Sequence, residues 1–453
     1  MAGSAAPDRL EEHAVTLSAG DEGAGAAAES GWRWLVAVMV AGLALCGAVT
    51  VARFHVWAPV DERAHYAYVQ SLAEQGRLPR VEDLVSTQVQ AITENSWPRP
   101  ARTSPAQAGL AGRNYEAFQP PLYYLLAVPA FVAVPDHRDK VFALRAFDLV
   151  LVGVAAGLLW LLARRVLPEA PLVAFAGGLG VLLWPGVLVR AVTVSNAPLE
   201  LVLVTATLAV LERAWSRRDG RWLVAAGVLT GACLLTKLTL LSVLVPLALV
   251  AWSLRREAAL AALAAVVAPA VVLSPWLASN VVRLGTLTAN GAALDQQQPF
   301  LYPTGDRPGL ADLPGRLWQL SQGVLPQEWT AQLDVAWVRA VTLLLVAALA
   351  AGALAAAIQR RSPLGWMALA GVAGYLALAT GALSLEHWDV FLLRYAAPLL
   401  PALGVSAAAW MWKRAGDRRT LVAATGGVLL TGALWADMAG RFYFTDLGHH
   451  LGI

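Results

Sequence analysis

"WLVAVMVAGLALCGAVTVA", residues 34–52, contains no charged side chain. A helix needs about 20 such residues to cross the hydrocarbon core of a bilayer, so this stretch predicts a membrane span. No small-residue cleavage signature accompanies it, which favours a retained span over a removed signal peptide. Runs of the same kind recur almost to the C-terminus, at 142–163, 169–189, 196–212, 222–236, 239–254, 258–278, 336–358, 364–384, 390–411 and 420–438. The expected fold class is therefore an all-α polytopic membrane protein of about 11–12 spans.

Composition agrees. Of 453 residues, 58% are hydrophobic and 14% charged, against about 25% charged in soluble domains. The net charge of +3 is small and spread along the loops, so nucleic acid is not an expected partner. Cys46 and Cys233 lie inside apolar runs and read as buried small hydrophobes, with neither disulfide nor metal spacing.

Residues 1–31 are Ala/Gly/Ser-rich and acidic, a composition that predicts a disordered cytoplasmic tail. A first membrane module follows over 32–278, including a long external loop at 53–118. A second external loop covers 279–335, and C-terminal spans fill 336–453. Sidedness rests on basic loops, which accumulate inside: "ARR" (163–165), "RAWSRRDGR" (213–221), "LRR" (254–256), "QRR" (359–361) and "KRAGDRR" (413–419). They share one side if the proline-broken piece 119–134 is re-entrant or interfacial, not a crossing. "DHRDK" at 136–140 then falls outside, against the trend. This gives a multi-pass protein of the cell membrane with both long loops external.

The first external loop opens with "APVDERAHYAYVQSLAEQGRLP", residues 58–79. His65, Tyr68, Val69 and Leu72 recur at helical spacing, which predicts a short helix on the outer membrane surface. Asp61 can cap that helix, or take a proton from an acceptor hydroxyl or amine as a base. Glu62 is its neighbouring alternate. His65, four residues after Asp61, shares its face, with Tyr66 beside it; Asp61, Glu62 and His65 could together bind a divalent metal.

Further candidates are outer-side polar residues. Gln119 and Tyr123, in "NYEAFQPPLYYLLAVP" (114–129), place polar atoms at the interface behind a stiff Pro-Pro entry. Lys237 stands in "TGACLLTKLTLLSVLVP" (230–246), where an ammonium costs several kcal/mol unless it snorkels or finds a partner. Arg394, in "EHWDVFLLRYAAPLLPALG" (386–404), and Arg145 suit bidentate phosphate binding. Asn196 and Asn280 lie at outer span ends, where each could cap a helix or touch a ligand. No GxxxxGK[ST] nucleotide cradle is present, which favours a membrane-dissolved donor over a nucleotide.

Taken in order, these motifs resemble the GT-C fold, the polytopic glycosyltransferases that use polyprenyl-phosphate sugars, in the branch of protein O-mannosyltransferases and aminoarabinose transferases. "PVDERAHYAYVQSLAEQGRLP" is similar to that family's first external loop, and "FQPPLYYLLAVP" to its QPPLYYLL signature. "LTGACLLTKLT", "LRYAAPLLPAL" and "SPWLASNVVRLG" resemble further elements. The resemblance implies a base at Asp61, a lipid phosphate held near Lys237 and Arg394, and an extracytoplasmic acceptor that is glycan, lipid or protein. Relatives often have ND at Asn196-Ala197 and RN at Ser279-Asn280, so each position here lacks a charge. The alternatives are a non-catalytic lipid-binding or envelope-assembly protein of the same fold, and a transporter.

Overall fold

The computed structural model describes residues 8–54, 56–57, 61–95, 113–288, 309–315, 336–359, 363–386 and 393–442. Among them, regular structure is helical apart from one isolated bridge between Leu84 and Arg113. Helix α1 (Asp8–Arg53) contains the opening apolar run. It starts inside the segment expected to be a disordered tail, where the Ala-rich sequence favours helix. The polar α2 (Glu62–Gln75) and short α3 (Thr87–Asn95) follow. Next come α4 (Leu122–Val132), α5 (His137–Val166), α6 (Pro171–Leu182) and α7 (Pro185–Ala191). The first module closes with α8 (Ala197–Arg217), α9 (Gly220–Leu234), α10 (Leu244–Leu254) and α11 (Ala259–Leu284). The C-terminal helices are α12 (Ala336–Ile358), α13 (Pro363–Gly381), α14 (Leu400–Ala415) and α15 (Asp417–Phe442).

The protein is an all-helical, multi-pass membrane protein, but its spans are less uniform than hydropathy suggests. Among the described residues, six stretches are long and apolar enough to cross: Glu29–Arg53, His137–Val166, Ala259–Leu284, Ala340–Ile358, Pro363–Leu385 and Asp417–Met438. A seventh is broken, because α6 and α7 meet at 72°. Pro185 opens α7 there, and proline cannot donate the hydrogen bond that would continue the preceding helix. The four remaining expected spans differ. Helix α8 carries Glu200 and Glu212; α9 has 15 residues and α10 has 11, separated by a 3-10 turn at Leu238–Val243; and α14 has 16 residues after further 3-10 turns. The piece expected to be re-entrant contains α4, 11 residues long.

Contacts between residues far apart in sequence sort the described loops onto two ends. Arg218 pairs with Glu257, Lys413 with Glu169, Trp32 donates to Asp417, and Arg165 donates to the Ala209 carbonyl, so these described basic connections lie toward one end. At the other, the Tyr66 hydroxyl of α2 lies 2.9 Å from His137 Nδ1, which ties the start of α5 to the α2 end. A large apolar core runs through the helical body, and a second joins α2, α4 and the start of α5.

Helix α2 packs against the protein along most of its length. His65, Tyr68 and Val69 are buried as its periodicity implies, but so are Tyr66 and Ala67 on the other side. Tyr66 packs edge-on against Trp57 and near Phe131, while Tyr68 stacks on Tyr124 with ring centroids 3.7 Å apart. Aromatic residues thus enclose the helix on both sides.

Candidate functional site

Asp61 adopts φ 78°, in the left-handed region, which is uncommon for a residue with a Cβ though Asp tolerates it better than most. Its backbone carbonyl accepts from His65 N–H and starts α2, but its side chain makes no capping bond. The carboxylate turns away from the helix. Its Oδ1 accepts from the Tyr115 hydroxyl at 3.0 Å, and its Oδ2 lies 3.9 Å from the Arg394 guanidinium.

Glu62 is placed differently. Each of its oxygens is engaged twice: Oε1 by Arg145 Nε (2.7 Å) and Val194 N–H (3.1 Å), Oε2 by Arg145 Nη2 (2.7 Å) and Trp57 N–H (3.0 Å). Arg145 also donates to the Phe54 carbonyl at 2.6 Å, and both charged side chains are fully buried. Such a two-pronged pair has fixed geometry. It ties the start of α2 to α5 and to the segment before α8.

Beside Arg394 lies a small, partly open cavity, lined by Arg190, Glu200 and Arg394 among small and apolar residues that include Ala197 and Pro398. Arg190 has no side-chain hydrogen bond or ion pair to another described residue. Arg394 donates to the Tyr395 hydroxyl at 2.9 Å, while its buried Nε has no partner. An unmade hydrogen bond on a buried guanidinium nitrogen is costly, and the Arg394 Nε is such an atom. Lys237 sits at the turn after α9, as the sequence placed it, but not alone. Its ammonium donates to Glu200 at 2.8 Å and to Asn196 Oδ1 at 3.2 Å, and lies 5.1 Å from the centre of the Tyr395 ring. Asn196 also donates to the Thr236 carbonyl, and its side chain makes no helix cap.

The other expected residues divide. His65 Nδ1 lies 2.7 Å from the Tyr124 hydroxyl, and burial pushes its pKa down to about 3 despite the pull of Asp61, so the ring is neutral. Tyr66 bonds His137, and Tyr123 donates to Asp148 at 2.9 Å. Asn280 lies within α11, where it donates to the Leu287 carbonyl and accepts from Arg283. None of these contacts reaches the cavity. Gln119 donates to Glu116 at 2.9 Å. Among the described residues, no three His, Cys, Asp or Glu side chains meet as a metal site. His387 and Asp389, which precede Arg394 in sequence, and nearly all of the loop stretch "DQQQPFLYPTGDRPG" (295–309), each a candidate wall of the site by its position, lie outside the described residues.

Three participants escaped sequence reasoning. Glu116 is buried beside the Asp61–Tyr115 contact, and burial, reinforced by Asp61, pushes its carboxyl up to about 7. Arg190 was hidden within "RAVTVSNAPLE", although a lone arginine in an apolar stretch carries the same signal as Lys237. Glu200 in the same string was equally visible as an acid within an expected span.

Residues 119–279 match the model of a family described as dolichyl-phosphate-mannose-protein mannosyltransferase. That segment holds Gln119, Tyr123, Arg145, Arg190, Asn196, Glu200 and Lys237, while Asp61, Glu116 and Arg394 lie outside it. No curated protein matches the sequence significantly. Among solved structures, similarity is found to ArnT from Cupriavidus metallidurans bound to undecaprenyl phosphate, at 18% identity and a TM-score of 0.46, covering 83% of this chain and 60% of ArnT. The apo form of that ArnT gives 17% identity and a TM-score of 0.47, covering 83% and 59%. The chain thus spans about three fifths of the length of ArnT.

Proposed function

We propose that the protein is an integral-membrane glycosyltransferase that moves a sugar from a polyprenyl-phosphate donor to an acceptor on the extracytoplasmic face. The observation that carries this reading is the position of Asp61, whose uncapped carboxylate points to Tyr115 and to Arg394 at the edge of a guanidinium-lined cavity. The family match over 119–279 supports it, because most of the cavity wall falls within that segment.

The donor phosphate lies between Arg190 and Arg394. Asp61 takes the proton of the acceptor hydroxyl or amine as that atom attacks the anomeric carbon. The bond from that carbon to the phosphate oxygen breaks, and the guanidinium groups stabilise the charge that develops on the leaving phosphate. One displacement inverts the anomeric centre. Glu62 and Arg145 act here as a buried clamp that fixes the adjacent Asp61. Lys237, neutralised by Glu200, holds the wall behind the phosphate. The test is transfer of labelled sugar from polyprenyl phosphate by the purified protein: Asp61→Ala abolishes it while the protein stays folded in detergent. Transfer at the wild-type rate by that variant would sink the assignment.

A further inference from the structure

An aspartate at the start of a helix ordinarily turns its carboxylate back onto N–H groups of the first turn, two and three residues on. For Asp61 those groups belong to Arg63 and Ala64, yet its side chain makes no capping bond to either. The carboxylate is engaged elsewhere. Its Oδ1 accepts from the Tyr115 hydroxyl at 3.0 Å. Its Oδ2 accepts no hydrogen bond from another described residue and lies 3.9 Å from the Arg394 guanidinium. The buried pair of Glu62 and Arg145 fixes the backbone one position along, but it does not touch the Asp61 side chain.

Tyr115 is itself held from both sides. It opens the 3-10 turn Tyr115–Phe118. Before the turn, the Asn114 N–H donates to the Asp83 carbonyl at 2.9 Å. After it, the Gln119 carbonyl accepts from the Tyr68 hydroxyl at 3.1 Å. None of these anchors uses the Tyr115 hydroxyl, which is left to serve Asp61. Burial, reinforced by the charge of Asp61, pushes the phenol well above its usual range, so it stays protonated and donates. We propose that Tyr115 is the positioning residue of the base: its hydroxyl holds the Asp61 carboxylate out of the capping position and leaves Oδ2 to take the acceptor proton. Tyr115 keeps its own proton throughout and touches neither donor nor acceptor. This role rests on the reading of Asp61 as the base.

The test is Tyr115→Phe in the full-length protein in detergent, which removes one oxygen atom and leaves the backbone anchors in place. With the labelled polyprenyl-phosphate sugar used for Asp61→Ala, kcat should fall about 10–100-fold, the scale of a misplaced reacting group. KM for the lipid donor should stay at the wild-type value. The unfolding midpoint should not drop, because the released carboxylate can turn back to cap α2. A wild-type kcat, or a loss carried by KM for the lipid donor, overturns the positioning role and leaves the base to be decided by Asp61→Ala. A midpoint that falls together with kcat, or a variant that does not fold, makes Tyr115 a structural residue and overturns the role as well. Absence of transfer by the wild type overturns the glycosyltransferase reading, and the positioning role with it.

Discussion

Adjacent acids, Asp61 and Glu62, hold opposite positions, and substitution should separate them. Asp61 faces Tyr115 and Arg394 from a left-handed backbone. As a base, Asp61→Asn should lower kcat for sugar transfer by about 10²–10⁴-fold, with little change in the denaturation midpoint. Glu62→Gln instead removes the charge opposite the fully buried Arg145. Breaking a buried pair costs about 3–5 kcal/mol, so its midpoint in detergent should fall sharply; wild-type stability would contradict the clamp. Glu116 adds a pH signature. A carboxyl raised from 4.5 to about 7 binds its proton more tightly when folded, so its contribution to stability is fully present at low pH. That contribution is lost as pH rises from about 4.5 through about 7. Unfolding midpoints at pH 5 and pH 8 should differ less in Glu116→Gln than in wild type.

Helices supply the second scale, and their crossings depend on small residues. A Cβ added at Gly404 of α14 would stand 2.4 Å from the Gly177 carbonyl oxygen of α6, whereas one at Gly426 of α15 meets nothing within 4 Å. Gly404→Ala should therefore push the helices apart at a cost of about 1–3 kcal/mol, while Gly426→Ala should be neutral or slightly stabilising. Thermal unfolding in detergent reads the difference. Hydropathy made the long spans legible, since apolar content over about 20 residues is local information. It did not show that Pro185 breaks one span, or that the stretch around Lys237 is split between short helices. The site was legible where one residue stood out, as Lys237 and Asp61 did. Its pairings were not, because Glu62 meets Arg145 83 positions away and Lys237 meets Glu200 37 positions away, and no spacing rule links such partners. Asp61 also tempted a capping assignment, which its backbone fulfils and its carboxylate does not.

Over the whole molecule, function depends on which end faces outward. The basic connections gather at one end, with Arg218 beside Glu257 and Lys413 beside Glu169. Asp61, Tyr115 and Arg394 gather at the end occupied by α2. Positive charge is retained on the cytoplasmic side during insertion, so the cavity should open to the opposite side. Cysteine labelling can decide this, because native Cys233 is buried and Cys46 half-buried, which keeps background reaction low. Glu82, 59% exposed after α2, and Arg218, 44% exposed among the basic loops, mark the two ends. In intact cells a membrane-impermeant maleimide should modify Glu82→Cys and spare Arg218→Cys until the membrane is permeabilised. The reverse pattern would turn Asp61 toward the cytoplasm, where the sugar donor and the acceptor would both have to be sought on the inner side.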